Sequence, residues 1–256
     1  MFFIFCLSPT LFGLGAVAMA GANRHVPACT RRNRWVKFWS YFTVVHIVAL
    51  TILAGSKTFA GLIIIVIVLG GLELHSVCRR RLLPLPDFAQ GQPLYSASQR
   101  ATRIFPYLWL CALGFATLKF ALTVSTQEVI FVYLLVAAMD GFSQLTGQLF
   151  GRHKIAPKIS PNKTVEGTFG GILATVLLGI GLHWMVNTSP VLAAIYAICI
   201  ALAAFVGDLT ASFVKRVNGV KDFGNLLPGQ GGILDRFDSL LMAASVYWIS
   251  SQFIFG

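Results

Sequence analysis

Apolar blocks of about 20 residues, the length that crosses a hydrocarbon layer of about 30 Å, recur along the whole of this chain. They lie at residues 1–21, 38–55, 58–76, 104–123, 128–149, 167–187, 190–213 and 238–255. Of the 256 residues, 56% are hydrophobic and only 11% charged, whereas a soluble domain carries about 25% charged residues. The fold class expected is therefore all-α, a polytopic integral membrane protein with eight transmembrane helices. The first block has no basic residues ahead of it, and its Ala-Met-Ala at 18–20 is a weak cleavage site, so it reads as a first membrane helix rather than a cleaved signal.

The connections between blocks test this count, because Lys and Arg gather near span ends on the cytoplasmic side. Arg24, Arg31, Arg32, Arg34 and Lys37 follow the first block, and Arg79, Arg80, Arg81, Arg100 and Arg103 follow the third. Arg152, Lys154, Lys158 and Lys163 follow the fifth, and Lys215, Arg216, Lys221 and Arg236 follow the seventh. The intervening connections at 55–58, 125–128 and 187–190 hold a single Lys. This alternation predicts both termini on the non-cytoplasmic side. It divides the chain into residues 1–100, three spans and a basic cytoplasmic loop, and residues 101–256, five spans with cytoplasmic loops at 150–166 and 214–238. The net charge of +11 then reflects cytoplasmic loops, anionic headgroups and a phosphate-bearing substrate, not nucleic acid. The five cysteines are scattered without a CxxC pair and read as small apolar fillers.

Only nine carboxylates occur: Glu73, Asp87, Glu128, Asp140, Glu166, Asp208, Asp222, Asp235 and Asp238. An ionisable group inside a span is expensive and marks a functional site by default. Asp140, midway along the fifth block, and Asp208, near the cytoplasmic end of the seventh, are such groups. Each could instead pair with a cation of a neighbouring helix and hold the bundle together. Asp208, Ser212 and Lys215 are spaced four and three apart and share one helix face that emerges into the cytoplasm. Arg216, Lys221 and Asp222 follow, then Gly224, Pro228, Gly229, Gly231 and Gly232, then Asp235, Arg236 and Asp238.

Glycines let backbone N–H groups approach an anion, Lys and Arg bind phosphate, and aspartates offer oxygen ligands to Mg²⁺. Together they form the inventory of a nucleotide or pyrophosphate site. A solvated basic turn would account for the cations, but not for the added aspartates or the glycine density. A Walker A loop is absent. A second polar island runs from Gly151 to Gly167 and contains His153, Ser160, Lys163, Thr164 and Glu166. Its prolines exclude a simple helix, and its end opens the sixth block, where anions are favoured. The plainer alternative is a topogenic loop, with Ser160 or Thr164 as a helix cap and Glu166 favouring the dipole. His153 alone reads as a solvated loop residue.

The run Ser212-Phe-Val-Lys-Arg, four residues, Lys221-Asp222-Phe-Gly224-Asn-Leu-Leu-Pro228-Gly-Gln-Gly231-Gly232-Ile-Leu-Asp235-Arg236-Phe-Asp238 resembles the signature of the phosphatidate cytidylyltransferases, the CDP-diacylglycerol synthases. Ser160-Pro-Asn-Lys163-Thr-Val-Glu166-Gly, and Asp140 with Gly147 and Gly151, look like further motifs of that family. The resemblance covers residues 140–240, while the first 100 residues agree only in being hydrophobic spans. One departure is Gln230, where the family usually has His. Gln hydrogen-bonds a phosphate or a base but does not titrate near neutral pH.

The resemblance implies CMP transfer from CTP to phosphatidate, giving CDP-diacylglycerol and pyrophosphate for phospholipid biosynthesis. The expected location is a bacterial inner membrane, with the site facing the cytoplasm. It implies Mg²⁺, with a second cation left open. Asp208 and Asp235 are expected as direct metal ligands, with Asp222 and Asp238 as further ligands or as groups that orient them. Lys215, Arg216, Lys221 and Arg236 would neutralise phosphates, Ser212, Ser160, Lys163 and Gln230 would add contacts, and Asp140 and Glu166 would support them. A cytidylyltransferase for another lipid phosphate or a CTP-dependent lipid kinase remains open, as does a homodimer. A transporter or channel would predict an internal repeat with paired broken helices, and none is found between the halves.

Overall fold

A computed structural model describes residues 27–80 and 101–255, with isolated positions 13, 16 and 20 ahead of them. The first expected span and the basic loop at 81–100 lie outside the described residues. The rest is mostly helical, with one hairpin and a non-helical segment at 218–233. In chain order come α1 (Ala28–Leu53), α2 (Ser56–Arg80), α3 (Ala101–Thr123) and α4 (Thr126–Phe150). Next are β1 (Lys154–Ala156) and β2 (Ser160–Thr164), α5 (Val165–Gly181), a 3₁₀ turn (His183–Val186), α6 (Pro190–Val217) and α7 (Leu234–Phe255).

Five of these helices, α1 to α4 and α6, are long and apolar enough to cross a membrane. The other two fall short for identifiable reasons: α5 has 17 residues, and α7 carries Asp235, Arg236 and Asp238 in its first two turns. The bundle's outer faces are apolar, with Phe169 69% and Val191 72% exposed, as lipid contact requires and water does not. The interior is also apolar. Phe120, Phe131, Leu135, Ile200, Leu241 and Tyr247 are fully buried.

Local sequence sets the helix ends. Ser125 and Glu128 form a capping box at the start of α4, satisfying N–H groups that a helix start leaves free. Thr164 Oγ1 accepts from Gly167 N at 3.1 Å and so caps α5. Ser189 caps α6, with Pro190 at its first position. The polar island expected to be irregular contains an antiparallel hairpin, pairing Lys154 with Thr164 and Ala156 with Ser160. Pro161 fits because a two-stranded hairpin is all edge, and an edge strand tolerates a missing N–H.

Close helix packing brings α6 and the start of α7 together. A Cβ at Gly207 of α6 would lie 2.8 Å from Asp238 O and 2.7 Å from Met242 Cβ on α7. Only glycine admits this approach, and it sets Asp208 beside Asp238.

Candidate active site

The segment Asn218 to Ile233 turns back between α6 and α7. Its tip is Leu227-Pro228-Gly229-Gln230, where Gln230 N donates to Leu227 O at 3.0 Å and Leu227 N donates to Gly231 O at 2.9 Å. Gly229 (φ +73°) and Gly231 (φ +89°) take left-handed conformations that a side chain would disfavour. Proline followed by such a glycine is the chemistry of a type II turn.

The base of the segment is held by Asp235. Its Oδ2 accepts from Phe223 N and Gly232 N, both at 2.9 Å. Its Oδ1 accepts from Lys215 Nζ at 2.6 Å. The Lys215 ammonium also lies over the Phe223 ring, 5.3 Å from its centroid. Both partners are buried, with side-chain exposures of 10% for Lys215 and 2% for Asp235.

A second pair sits nearer the surface. Lys163, on β2, places Nζ 2.7 Å from Asp208 Oδ2, with exposures of 18% and 35%. Ser212 Oγ donates to Asp208 Oδ1 at 3.3 Å, within one helix face as the spacing predicted. Ser212 itself is buried.

These groups border a cavity of about 740 Å³. Its walls bring together Ser160, Lys163, Asp208, Lys215, Asp222 and Gln230, and with them Asp140, Asp235, Arg236 and Asp238. Four sequence-expected residues do not line it, and the first, Ser212, reaches it only through its hydrogen bond to Asp208. Arg216 donates from Nε to Ile159 O and from Nη1 to Val220 O, both at 3.1 Å, bracing the hairpin against the loop. Lys221 is exposed and does not line the cavity. Glu166 stands at the hairpin, where Oε1 meets His153 Nδ1 at 2.6 Å and Oε2 accepts from the N–H groups of Arg152 and His153. These hydrogen bonds, with the His153 ring the largest contributor, hold its carboxyl down at about 2.

Gln230 is oriented by chemistry. Its Nε2 donates to Lys37 O at 2.7 Å, and a carbonyl oxygen only accepts. The amide therefore has one possible sense, with Oε1 on the far side, buried and without a hydrogen-bond partner among the described residues. The free position is an acceptor, which suits a donor such as a base amine or a sugar hydroxyl and not a phosphate oxygen.

Three contributors were not singled out from sequence. Ser40 of α1 donates to Pro228 O at 2.9 Å, and Lys37 offers its carbonyl to Gln230. Glu73 of α2 accepts from Ile233 N at 2.9 Å and Leu234 N at 3.0 Å, capping α7. Main-chain and hydroxyl contacts leave no sequence signal. Glu73 did leave one: it is a carboxylate within an apolar helix, the criterion that selected Asp140 and Asp208.

Five carboxylates on the wall (Asp140, Asp208, Asp222, Asp235 and Asp238) outnumber four cations (Lys37, Lys163, Lys215 and Arg236). The cavity is therefore no simple anion trap. Among the described residues, no three Asp, Glu, His or Cys side chains are gathered closely enough to hold a metal ion as they stand. Even so, Asp140, Asp208 and Asp238 lie close enough to repel one another. Oxygen-only donors from three helices have the chemistry that suits a hard divalent cation such as Mg²⁺.

The profile of the cytidylyltransferase family matches residues 25–254. A phosphatidate cytidylyltransferase of Staphylococcus epidermidis is 44% identical over 117 residues, 45% of each chain. That of Staphylococcus saprophyticus is 40% identical over 131 residues, 50% of each. An uncharacterized protein of Escherichia coli, YnbB, is 40% identical over 121 residues, 47% of this chain and 41% of that one. The matched part of the chain spans about half the length of these curated relatives. With nearly its whole length inside the family profile, this chain belongs to the cytidylyltransferase family.

Proposed function

We propose that this protein is a phosphatidate cytidylyltransferase, joining CTP and phosphatidate into CDP-diacylglycerol and pyrophosphate. The observation that carries this reading is the mixed lining of the cavity, which combines the charged Lys163, Asp208, Lys215 and Arg236 with the apolar Val44 and Val48 of α1 and Val136 and Met139 of α4. A phosphate bearing acyl chains matches both kinds of lining at once. The names of the relatives point the same way.

A phosphate monoester oxygen of phosphatidate attacks the α-phosphorus of CTP. As that P–O bond forms, the bond to the bridging oxygen of the β-phosphate breaks, and pyrophosphate leaves with its electron pair. The nucleophile is already anionic at neutral pH, its second pKa being about 6, so no protein base is needed and Gln230 in place of His is no obstacle. What remains is to bring two polyanions together and stabilise charge on the leaving group.

Lys163 and Arg236 orient the phosphates, and Lys215, held in place by Asp235, adds its charge from deeper in the wall. Bound Mg²⁺ would add positive charge to that of the lysines and arginine on the cavity wall. Asp208 and Asp238 would hold it, with Asp140 and Asp222 beside them. Of the two carboxylates expected as direct ligands, Asp208 is the more accessible, being 35% exposed, whereas Asp235, at 2%, is enclosed by Lys215 and two loop amides.

On this reading the site faces the cytoplasm of a bacterial inner membrane, where CTP is found. The chain crosses that membrane eight times, α5, α7 and the expected first span at residues 1–21 joining the five long helices, with both termini on the far side. Residues 1–100 serve as support and residues 101–256 carry the chemistry. The test is turnover of labelled CTP by detergent-solubilised protein with phosphatidate, with and without Mg²⁺. Label from the α-phosphate is expected in the lipid, only when Mg²⁺ is present. Label from the γ-phosphate in the lipid would instead identify a kinase, and no lipid label would exclude phosphatidate as substrate.

A further inference from the structure

We propose that Glu73, on a helix outside the signature, is a positioning residue of the transferase site, acting on Lys215 through the loop and Asp235. The inference rests on the reading of that site as a cytidylyltransferase centre. It starts from how the loop's backbone donors are shared out. Four N–H groups that close the loop go to two carboxylates: Phe223 and Gly232 to Asp235, and Ile233 and Leu234 to Glu73. Asp235 belongs to the signature, but Glu73 comes from α2, about 160 residues earlier in the chain.

The loop is shaped around the Glu73 carboxylate. A Cβ at Gly232 would lie 2.5 Å from Glu73 Oε2, and a Cβ at Gly224 would lie 2.6 Å from Oε1. Two glycines of the signature thus have a partner outside it, and both strands of the loop press on the same acid. Gly232 joins the two clamps directly: its N–H is bound by Asp235, and its Cα faces Glu73. A shift of Glu73 therefore moves Gly232, then Asp235, then the Lys215 ammonium that Asp235 holds at 2.6 Å.

Glu73 also occupies the start of α7. Free N–H groups and the helix dipole make such a start a natural anion site, and here an internal carboxylate fills it. Substrate phosphate is thereby directed to side chains on the cavity wall instead of to the α7 terminus.

The experiment compares native protein with Glu73→Gln, Glu73→Asp, Glu73→Ala, Gly232→Ala and the Glu73→Ala/Gly232→Ala double variant. It reads kcat and KM for both substrates, together with amide exchange of the loop. Glu73→Gln and Glu73→Asp should lower kcat by about tenfold or more, the scale of a lost charge-assisted hydrogen bond, with KM for phosphatidate unchanged. Gly232→Ala should do the same alone. It should add less than about twofold on top of Glu73→Ala, because the group it collides with is gone.

In Glu73→Gln, exchange should speed at Ile233 and Leu234, and also at Phe223 and Gly232, which bond only to Asp235. Faster exchange confined to Ile233 and Leu234 would reduce Glu73 to a helix cap and overturn the proposal. So would native-like kcat in Glu73→Gln, or effects of Glu73→Ala and Gly232→Ala that simply multiply. If the native protein transfers no CMP, the functional reading fails, while the exchange at Phe223 and Gly232 still decides the coupling. If Glu73→Gln cannot be purified folded, Gly232→Ala and its double variant decide between the same two outcomes.

Discussion

Two lysine–aspartate pairs stand in the same cavity at nearly the same distance, 2.6 Å for Lys215–Asp235 and 2.7 Å for Lys163–Asp208, yet they have different work. The first is almost wholly buried, and its aspartate ties down two backbone amides of the loop. The second is partly open, joins the hairpin to α6, and leaves its aspartate facing the cavity. Charge and distance do not distinguish a strut from a substrate-facing pair. Burial and the remaining hydrogen bonds do.

Breaking the inner pair should have the largest effect. Lys215→Met leaves Asp235 buried and uncompensated, which costs about 3–5 kcal/mol, so thermal unfolding in detergent should come at a much lower temperature and turnover should vanish with it. Asp208→Asn should separate the two roles. Turnover should drop by about 10²–10³-fold, as when a preorganised electrostatic group is lost, while the melting temperature stays nearly native because a partly exposed pair contributes about 0–1 kcal/mol. Equal losses of stability in both variants would erase the distinction.

A smaller effect is expected at the loop tip. Gln230→Glu replaces the donor facing Lys37 O with an acceptor and so loses a hydrogen bond worth about 0.5–1.5 kcal/mol, read as a raised KM for CTP. Gln230→His keeps an N–H donor and should retain most activity.

The smallest effect is expected at Glu166, outside the cavity. Its folded value of about 2 lies below the ordinary 4.5. The stability it lends the hairpin is therefore complete above about pH 4.5 and is lost only as the pH falls toward 2. A carboxyl titration by NMR should show its midpoint near 2, and turnover between pH 6 and 8 should not depend on it. A midpoint near 4.5 would mean that the His153 contact does not form in solution.

Much of this was legible in the sequence. Runs of apolar residues located the helices well, but α1 begins at Ala28, ten residues ahead of its apolar stretch, because Arg31, Arg32, Arg34 and Lys37 continue the helix beyond the part that needs lipid. The hairpin was not legible, since two prolines read as breakers and nothing local tells a strand pair from an irregular loop. At the site, the i, i+4 spacing of Asp208 and Ser212 gave a contact that the structure contains. The same inventory of charges gave no hint that Arg216 would bind carbonyls, or that Asp235 would be saturated by its own loop. Those outcomes depend on which backbone groups lie nearby, and a list of side chains does not contain that information.

The contacts between the N-terminal helices and the loop tip have a consequence for how freely this part of the protein can vary. At residue 37 the loop binds a peptide carbonyl, which every residue type supplies, and at Ser40 a single hydroxyl. A helix that serves mostly through its main chain can drift in sequence and still dock, so exchanging α1 for an unrelated helix of the same register that keeps a hydroxyl at position 40 should leave the loop tip seated. The equivalent exchange of α2 should succeed only if the incoming helix carries an acid at position 73.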